Sequence, residues 1–186
     1  MRLFVAVNLP QDVRHALWEA VAPLRTRSFP VRWVASEGLH VTLKFLGEVP
    51  AEREPQVIAG LERAVGDTRP FSLVLSGFGA FPSLRRPRVL WAGCESARPL
   101  ELLQHGVERE MAELGFPLEG RPFRPHITIG RVRRGARARD LAGLDDAVAP
   151  LSFEAEVGVT SLDLMQSMLA RAGATYACRH AVGFVS

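Results

Sequence analysis

The chain has 186 residues, 47% of them hydrophobic and 23% charged, enough to bury a substantial core and too apolar for a disordered chain. No run approaches the length of a membrane span, and the apolar start MRLFVAVNLPQ is too short for a signal peptide, so a cytoplasmic protein without membrane contact is expected. The formal net charge is +3, and of 23 basic residues 22 are arginine, Lys44 being the sole lysine. Arginine grips phosphate and carboxylate bidentately, although a GC-rich genome accounts for the preference equally well.

RLFVAVNL reads as a first strand ended by Pro10, followed by a helix over about 10–25 with Val13, Leu17, Ala20, Val21 and Leu24 at helical spacing. VRWV is a short strand, and residues 39–46 form the next, stopped by Gly47. A second helix is predicted near 51–65, with Val57, Ile58, Leu61 and Val65 on one side. FSLVLSGFGAF and PRVLWAG read as strands joined by the loop PSLRRP, and a third helix spans about 98–114. RPFRPHITIGRV is a further strand; LSFEAEVGVTSLDLMQS and ATYACRHAVGFV supply the last two or three. The arginine-rich segment between them, RVRRGARARDLAGLDDAVAP, reads as a surface loop or short helix. The order predicts one α+β domain over 1–186, with no linker and no low-complexity tract.

Within LHVTLKFLG (39–47), alternation sets Leu39, Val41, Leu43 and Phe45 on one face and His40, Thr42 and Lys44 on the other. The motif returns: HVTL at 40–43 recurs as HITI at 126–129, 86 positions on and close to half the chain. Two half-domains related by a pseudo-two-fold axis would bring both strands to one cleft, His40 facing His126 and Thr42 facing Thr128. A single HxTx would mean little, since threonine is a good strand former and a lone histidine is usually structural. The repetition carries the signal.

Two imidazoles and two hydroxyls around one phosphate can cleave a phosphodiester without a metal. An imidazole with an ordinary pKa near 6.5 can take a proton from the attacking oxygen or give one to the departing oxygen. Each hydroxyl can donate to a non-bridging phosphoryl oxygen. Cys94 and Cys178 lie far apart, and neither HxH, HExxH nor a cysteine cluster occurs, so no metal or other cofactor is expected.

HVTL and HITI resemble the paired HxTx motifs of the 2H phosphoesterases, and most closely those of the bacterial and archaeal RNA 2′,3′-cyclic phosphodiesterases, formerly called 2′-5′ RNA ligases. RLFVAVNLP, RWVASEGLHVTLKFLGEV, GFGAFPSLRRPRVLWAG, GFPLEGRPFRPHITIGRVR and LDLMQSMLARAGATY resemble that family's segments in order, over nearly the whole chain. The resemblance implies a bilobal α+β fold, with two pseudo-symmetric lobes of antiparallel sheet around a central cleft. It implies hydrolysis of RNA 2′,3′-cyclic phosphate ends to 2′-phosphates, together with a reversible 2′-5′ ligation of tRNA fragments. His40 then matches the proton donor, His126 the proton acceptor, and Thr42 and Thr128 the phosphate-holding hydroxyls. Arg131, beside the second motif, is the favoured substrate contact among the arginines; Arg124 and Lys44 are secondary candidates. The partner is RNA, and a monomer is expected. Two alternatives stay open: the same fold acting on small cyclic nucleotides, ADP-ribose cyclic phosphate or 2′-5′ oligonucleotides, and a non-catalytic RNA-binding module.

Overall fold

The computed structural model describes residues 1–170 and 173–185; Arg171 and Ala172, within the segment LDLMQSMLARAGATY, lie outside the described residues. Among those described, nine strands are present: β1 (Arg2–Asn8), β2 (Val31–Trp33), β3 (His40–Glu48), β4 (Phe71–Phe81), β5 (Val89–Cys94), β6 (His126–Val132), β7 (Glu154–Val159), β8 (Ser161–Ala170) and β9 (Gly173–Gly183). The helices are α1 (Gln11–Ala20), α2 (Ala22–Arg25), α3 (Glu54–Val65), α4 (Arg98–Glu113) and α5 (Leu144–Val148).

Most boundaries follow from local chemistry. Pro55 and Pro99 sit in the first turns of α3 and α4, where a missing N–H costs nothing. The expected helix over 10–25 is broken in two at Val21 instead. Pro23 has no N–H to give and its ring disfavours a continuous helix, so α2 restarts with Pro23 in its first turn. The predicted strand RPFRPHITIGRV is ordered as a strand only from His126 onward; Pro122 and Pro125 lie outside it. The arginine-rich segment holds a 3₁₀ turn at Ala138–Leu141 and then α5.

All strand pairings are antiparallel, in the order β7-β4-β5-β6-β3-β1-β8-β9, with β2 attached to β6. The two halves, β9-β8-β1-β3 and β6-β5-β4-β7, meet through a single residue pair, Val41 with Ile127. Beyond it, β2 takes over the free edge of β6, pairing Val31 with Val132 and Trp33 with Gly130. The half-sheets therefore part immediately after the two HxTx motifs. That divergence makes the cleft.

One face of the sheet carries the core. Leu3, Val5 and Val7 of β1, Val41 of β3, Ile127 of β6 and Leu162 of β8 pack with Leu17, Leu61, Leu103 and Met111 of the helices. Burying such a side chain contributes about 1.5–3 kcal/mol, so the core face fixes strand phase, and the opposite face is set with it. On that opposite face lies a smaller cluster of Phe4, Ala6 and Met165, with Tyr176 packed against it.

Among the register breaks of the sheet, one β-bulge in each half falls at the end of an HxTx motif. Val5 opposes Lys44 while Ala6 opposes Thr42, leaving Leu43 unpaired in β3. Leu90 opposes Gly130 while Trp91 opposes Thr128, leaving Ile129 unpaired in β6. Each bulge reverses the phase of the strand residues beyond it. Phe45, predicted on the apolar face, is 64% exposed, whereas Lys44 is only 5% exposed. In the same way Gly130 turns inward and Arg131 outward.

Candidate active site

The histidines and threonines of the two motifs stand on the cleft face, either side of the Val41–Ile127 pair. Continuing that antiparallel register by one residue sets His40 across from Thr128 and Thr42 across from His126. The facing arrangement predicted from the repeat is thus corrected. A two-fold axis between antiparallel strands makes the histidines diagonal neighbours, roughly 7–8 Å apart at the backbone. Imidazole and hydroxyl thus alternate around four corners.

Both rings are oriented in the same way. His40 Nδ1 lies 2.8 Å from the carbonyl of Gly38, and His126 Nδ1 lies 2.7 Å from the carbonyl of Arg124. A carbonyl can only accept, so each Nδ1 carries the proton and each Nε2 is left for the cleft. In His40 that Nε2 accepts from the Thr42 hydroxyl at 3.0 Å. Aromatic edges and faces hold the rings. Phe4 lies 4.8 Å from the His40 ring, and Tyr176 meets it edge-on at 5.2 Å. Phe81 meets His126 edge-on at 4.9 Å. A side chain at Gly38 would strike the Tyr176 ring at 2.9 Å, so glycine allows Tyr176 to close over the turn that carries the orienting carbonyl.

Burial holds the His40 imidazole down to about 4; the hydrogen bond to Gly38 opposes this, and the charges of Arg131 and His126 add to it. Burial also lowers His126, against its bond to Arg124 and with the charge of Arg131 adding. Arg131 acts on both rings because the bulge at Ile129 turns it to the cleft face. Arg124 serves through its backbone carbonyl, and its side chain lines a recess of about 290 Å³ with Phe81, Trp91, Gly93, Pro125 and His126.

Lys44 is not in the cleft. The bulge at Leu43 turns it inward, where its ammonium lies 2.7 Å from Glu108 of α4, so the expected substrate contact is corrected. Sequence reasoning missed Phe4, Phe81, Trp91 and Tyr176, which come from strands distant along the chain. It also missed Asn8, opposite His40, whose Nδ2 donates to Asp163 at 2.7 Å. The only available signal was a polar residue closing an otherwise apolar strand. Among the described residues, no group of three or more His, Cys, Asp or Glu side chains could hold a metal ion.

The fold is that of the 2H phosphoesterases. Residues 13–168 match the family model described as the 2′-5′ RNA ligase superfamily, and the chain belongs to that family. It is 39% identical over 184 residues to an RNA 2′,3′-cyclic phosphodiesterase of Thermus thermophilus, covering 95% of this chain and 86% of that protein. A crystal structure of a Thermus thermophilus protein superposes with a TM-score of 0.83 at 34% identity, over 99% of this chain and 98% of the other. Escherichia coli LigT complexed with 3′-AMP superposes with a TM-score of 0.81 at 29% identity, over 100% and 98%.

The buried neutral state of His40 makes stability pH-dependent. Unfolded, the ring takes up a proton near its ordinary 6.5; folded, it does so only at about 4. Between these values the unfolded state binds more protons, so stability should fall as pH drops through that window. Urea unfolding across pH 7 to 4 should show this decline, flattened in His40→Asn. Superposable curves for the two proteins would remove His40 as its source.

Proposed function

We propose that this protein hydrolyses RNA 2′,3′-cyclic phosphate ends to 2′-phosphates without a metal, acting as a monomeric, single-domain cytoplasmic enzyme. The observation that carries the reading is the diagonal pair of histidines around one β3–β6 residue pair, each with its Nε2 free of backbone and a threonine hydroxyl beside it. In the forward direction His126 takes a proton from water as it attacks phosphorus. The bond from phosphorus to the ribose 3′ oxygen breaks, and His40 gives that oxygen its proton. Thr42 and Thr128 donate to the non-bridging oxygens, and Arg131 offsets charge on the phosphoryl group. With a 5′-hydroxyl in place of water, the same steps form a bond from that oxygen to phosphorus as the bond to the 3′ oxygen breaks, which is 2′-5′ ligation. RNA is favoured over a small cyclic nucleotide because the recess beside His126, lined by Phe81, Trp91 and Arg124, offers aromatic and basic surface to a neighbouring nucleotide. Nothing in this scheme calls on a second chain. Cys94 and Cys178 are free thiols, as suits a reducing compartment.

The two histidines are separated experimentally by the leaving group. His40→Ala should cost roughly 10²–10⁴-fold on a natural cyclic phosphate and far less on a nitrophenyl phosphodiester, whose leaving group departs unprotonated. His126→Ala should be crippled on both. Rescue of His126→Ala by the activated substrate would exchange the roles, and rescue of neither would shift the weight to electrostatic stabilisation.

Hydrolysis should survive exhaustive chelation with EDTA, since neither motif brings an acidic or cysteine ligand. Loss of turnover restored by one divalent ion would refute the metal-free scheme.

Arg131→Ala should weaken an oligonucleotide and reduce its slope of log affinity against log salt by about 0.7, one phosphate contact on a single strand. An unchanged slope would take Arg131 out of RNA binding.

A further inference from the structure

Lys44 poses a question that the cleft chemistry leaves untouched. It is 5% exposed and its partner Glu108 is 9% exposed, so two charges have been taken out of water together. Lys44 Nζ donates to Glu108 Oε2 at 2.7 Å and to the carbonyl of Pro117 at 2.8 Å. The same Glu108 oxygen accepts the backbone N–H of Glu119 at 3.2 Å. The network therefore ties β3 to α4 and to the segment 114–125, which leads from α4 into β6. That segment includes Arg124, whose carbonyl orients His126.

We infer that Lys44 is a positioning residue, its buried ion pair with Glu108 fixing the segment that presents His126 to the cleft. Stability alone is a poor reason for the pair. Removing both ions from water costs several kcal/mol each, and apolar residues of similar volume often serve a fold as well or better. Register is a better reason, because β3 and β6 share only the Val41–Ile127 pair and need a second tie. Composition supplies an independent argument. In a chain that uses arginine at all its other 22 basic positions, the one lysine is the buried one among the described residues. A compact ammonium can reach a carboxylate and a carbonyl in a space that a planar guanidinium fork does not fit.

The inference rests on His126 as a reacting group, so its test must not depend on turnover alone. The double variant K44M/E108L removes both charges and keeps the volume apolar. It should melt within about 4 °C of wild type. Its kcat on a cyclic-phosphate dinucleotide should fall about 10²-fold, with KM little changed, as expected from a displaced reacting group. By NMR, His126 should titrate nearer its ordinary value while His40, held by Gly38, stays where it was. Unchanged His126 titration and kcat in a folded double variant would overturn the inference. So would equal movement of both histidines, which marks general damage to β3. Should the double variant not fold, wild type decides: ¹⁵N-lysine labelling gives a single ammonium signal, which should shift as inorganic phosphate saturates the His126 signal. A lysine signal indifferent to phosphate would sink the idea. A wild type that leaves the cyclic phosphate intact would defeat the functional reading only, the histidine titrations still deciding the place of Lys44.

Discussion

Two strands that touch at one residue pair set the constraint on which the rest of the molecule depends. Val41 and Ile127 are both wholly buried, and each is locked into the core by neighbours on its own half-sheet. Their side chains point to the helices, so the residues on either side of each point away. Had β3 and β6 paired along their length, His40 and His126 would stand on a continuous sheet surface open to water. They part instead, because β2 occupies the edge of β6 beyond Ile129 and β1 carries β3 the other way. A cleft with four polar corners is what remains. The apolar face decides the geometry of the polar one.

Electrostatically the cleft is unfinished without an anion. Both imidazoles are held neutral by burial, and Arg131 pushes their protons off further. Asp163, a buried acid on the same face, accepts from Asn8 and Ser161 and not from either imidazole. An anionic phosphoryl group reverses the sign of the local field, favouring a proton on either ring. On the proposed mechanism, protonation of the imidazole serving as acid is therefore coupled to arrival of the anion. The ring held down to about 4, His40, has much to gain from it.

How far the molecule is legible in its sequence depends on the kind of feature. The HxTx pairs are legible because strand alternation and repetition are properties of residue order. The α+β class is legible for the same reason. A bulge has no such signature. Leu43 and Ile129 are ordinary apolar strand residues, and nothing in LHVTLKFLG says that the phase reverses between Thr42 and Lys44. Simple alternation accordingly puts Lys44 on the wrong face. Nearness to the second motif singles out Arg131, yet it reaches the cleft only because the bulge at Ile129 turns it there. The carbonyls of Gly38 and Arg124 carry no side-chain identity to detect, and Tyr176 and Phe81 come from strands whose neighbourhood is tertiary. Pro23 does carry a local signal for the broken first helix, masked by the regular spacing of Val21 and Leu24.

The pseudo-symmetry gives the geometry, and departures from it give the site its two distinct sides. At the position following each bulge the halves solve one problem differently. In β6 that residue is Gly130, where a side chain would strike Val31 at 2.7 Å and Trp33 at 2.9 Å, so β2 itself packs down on the strand. In β3 no extra strand lies there among the described residues, and the inward position holds Lys44, reaching to α4 and to Pro117. One residue later the outward positions carry Phe45 on one side and Arg131 on the other. A phosphoryl group centred between the histidines thus has an aromatic wall toward β1 and a cation toward β2. Two chemically equal histidines acquire unequal surroundings in part by this means. On the proposed reading, that inequality matches the unequal tasks of activating an attacking oxygen and protonating a departing one.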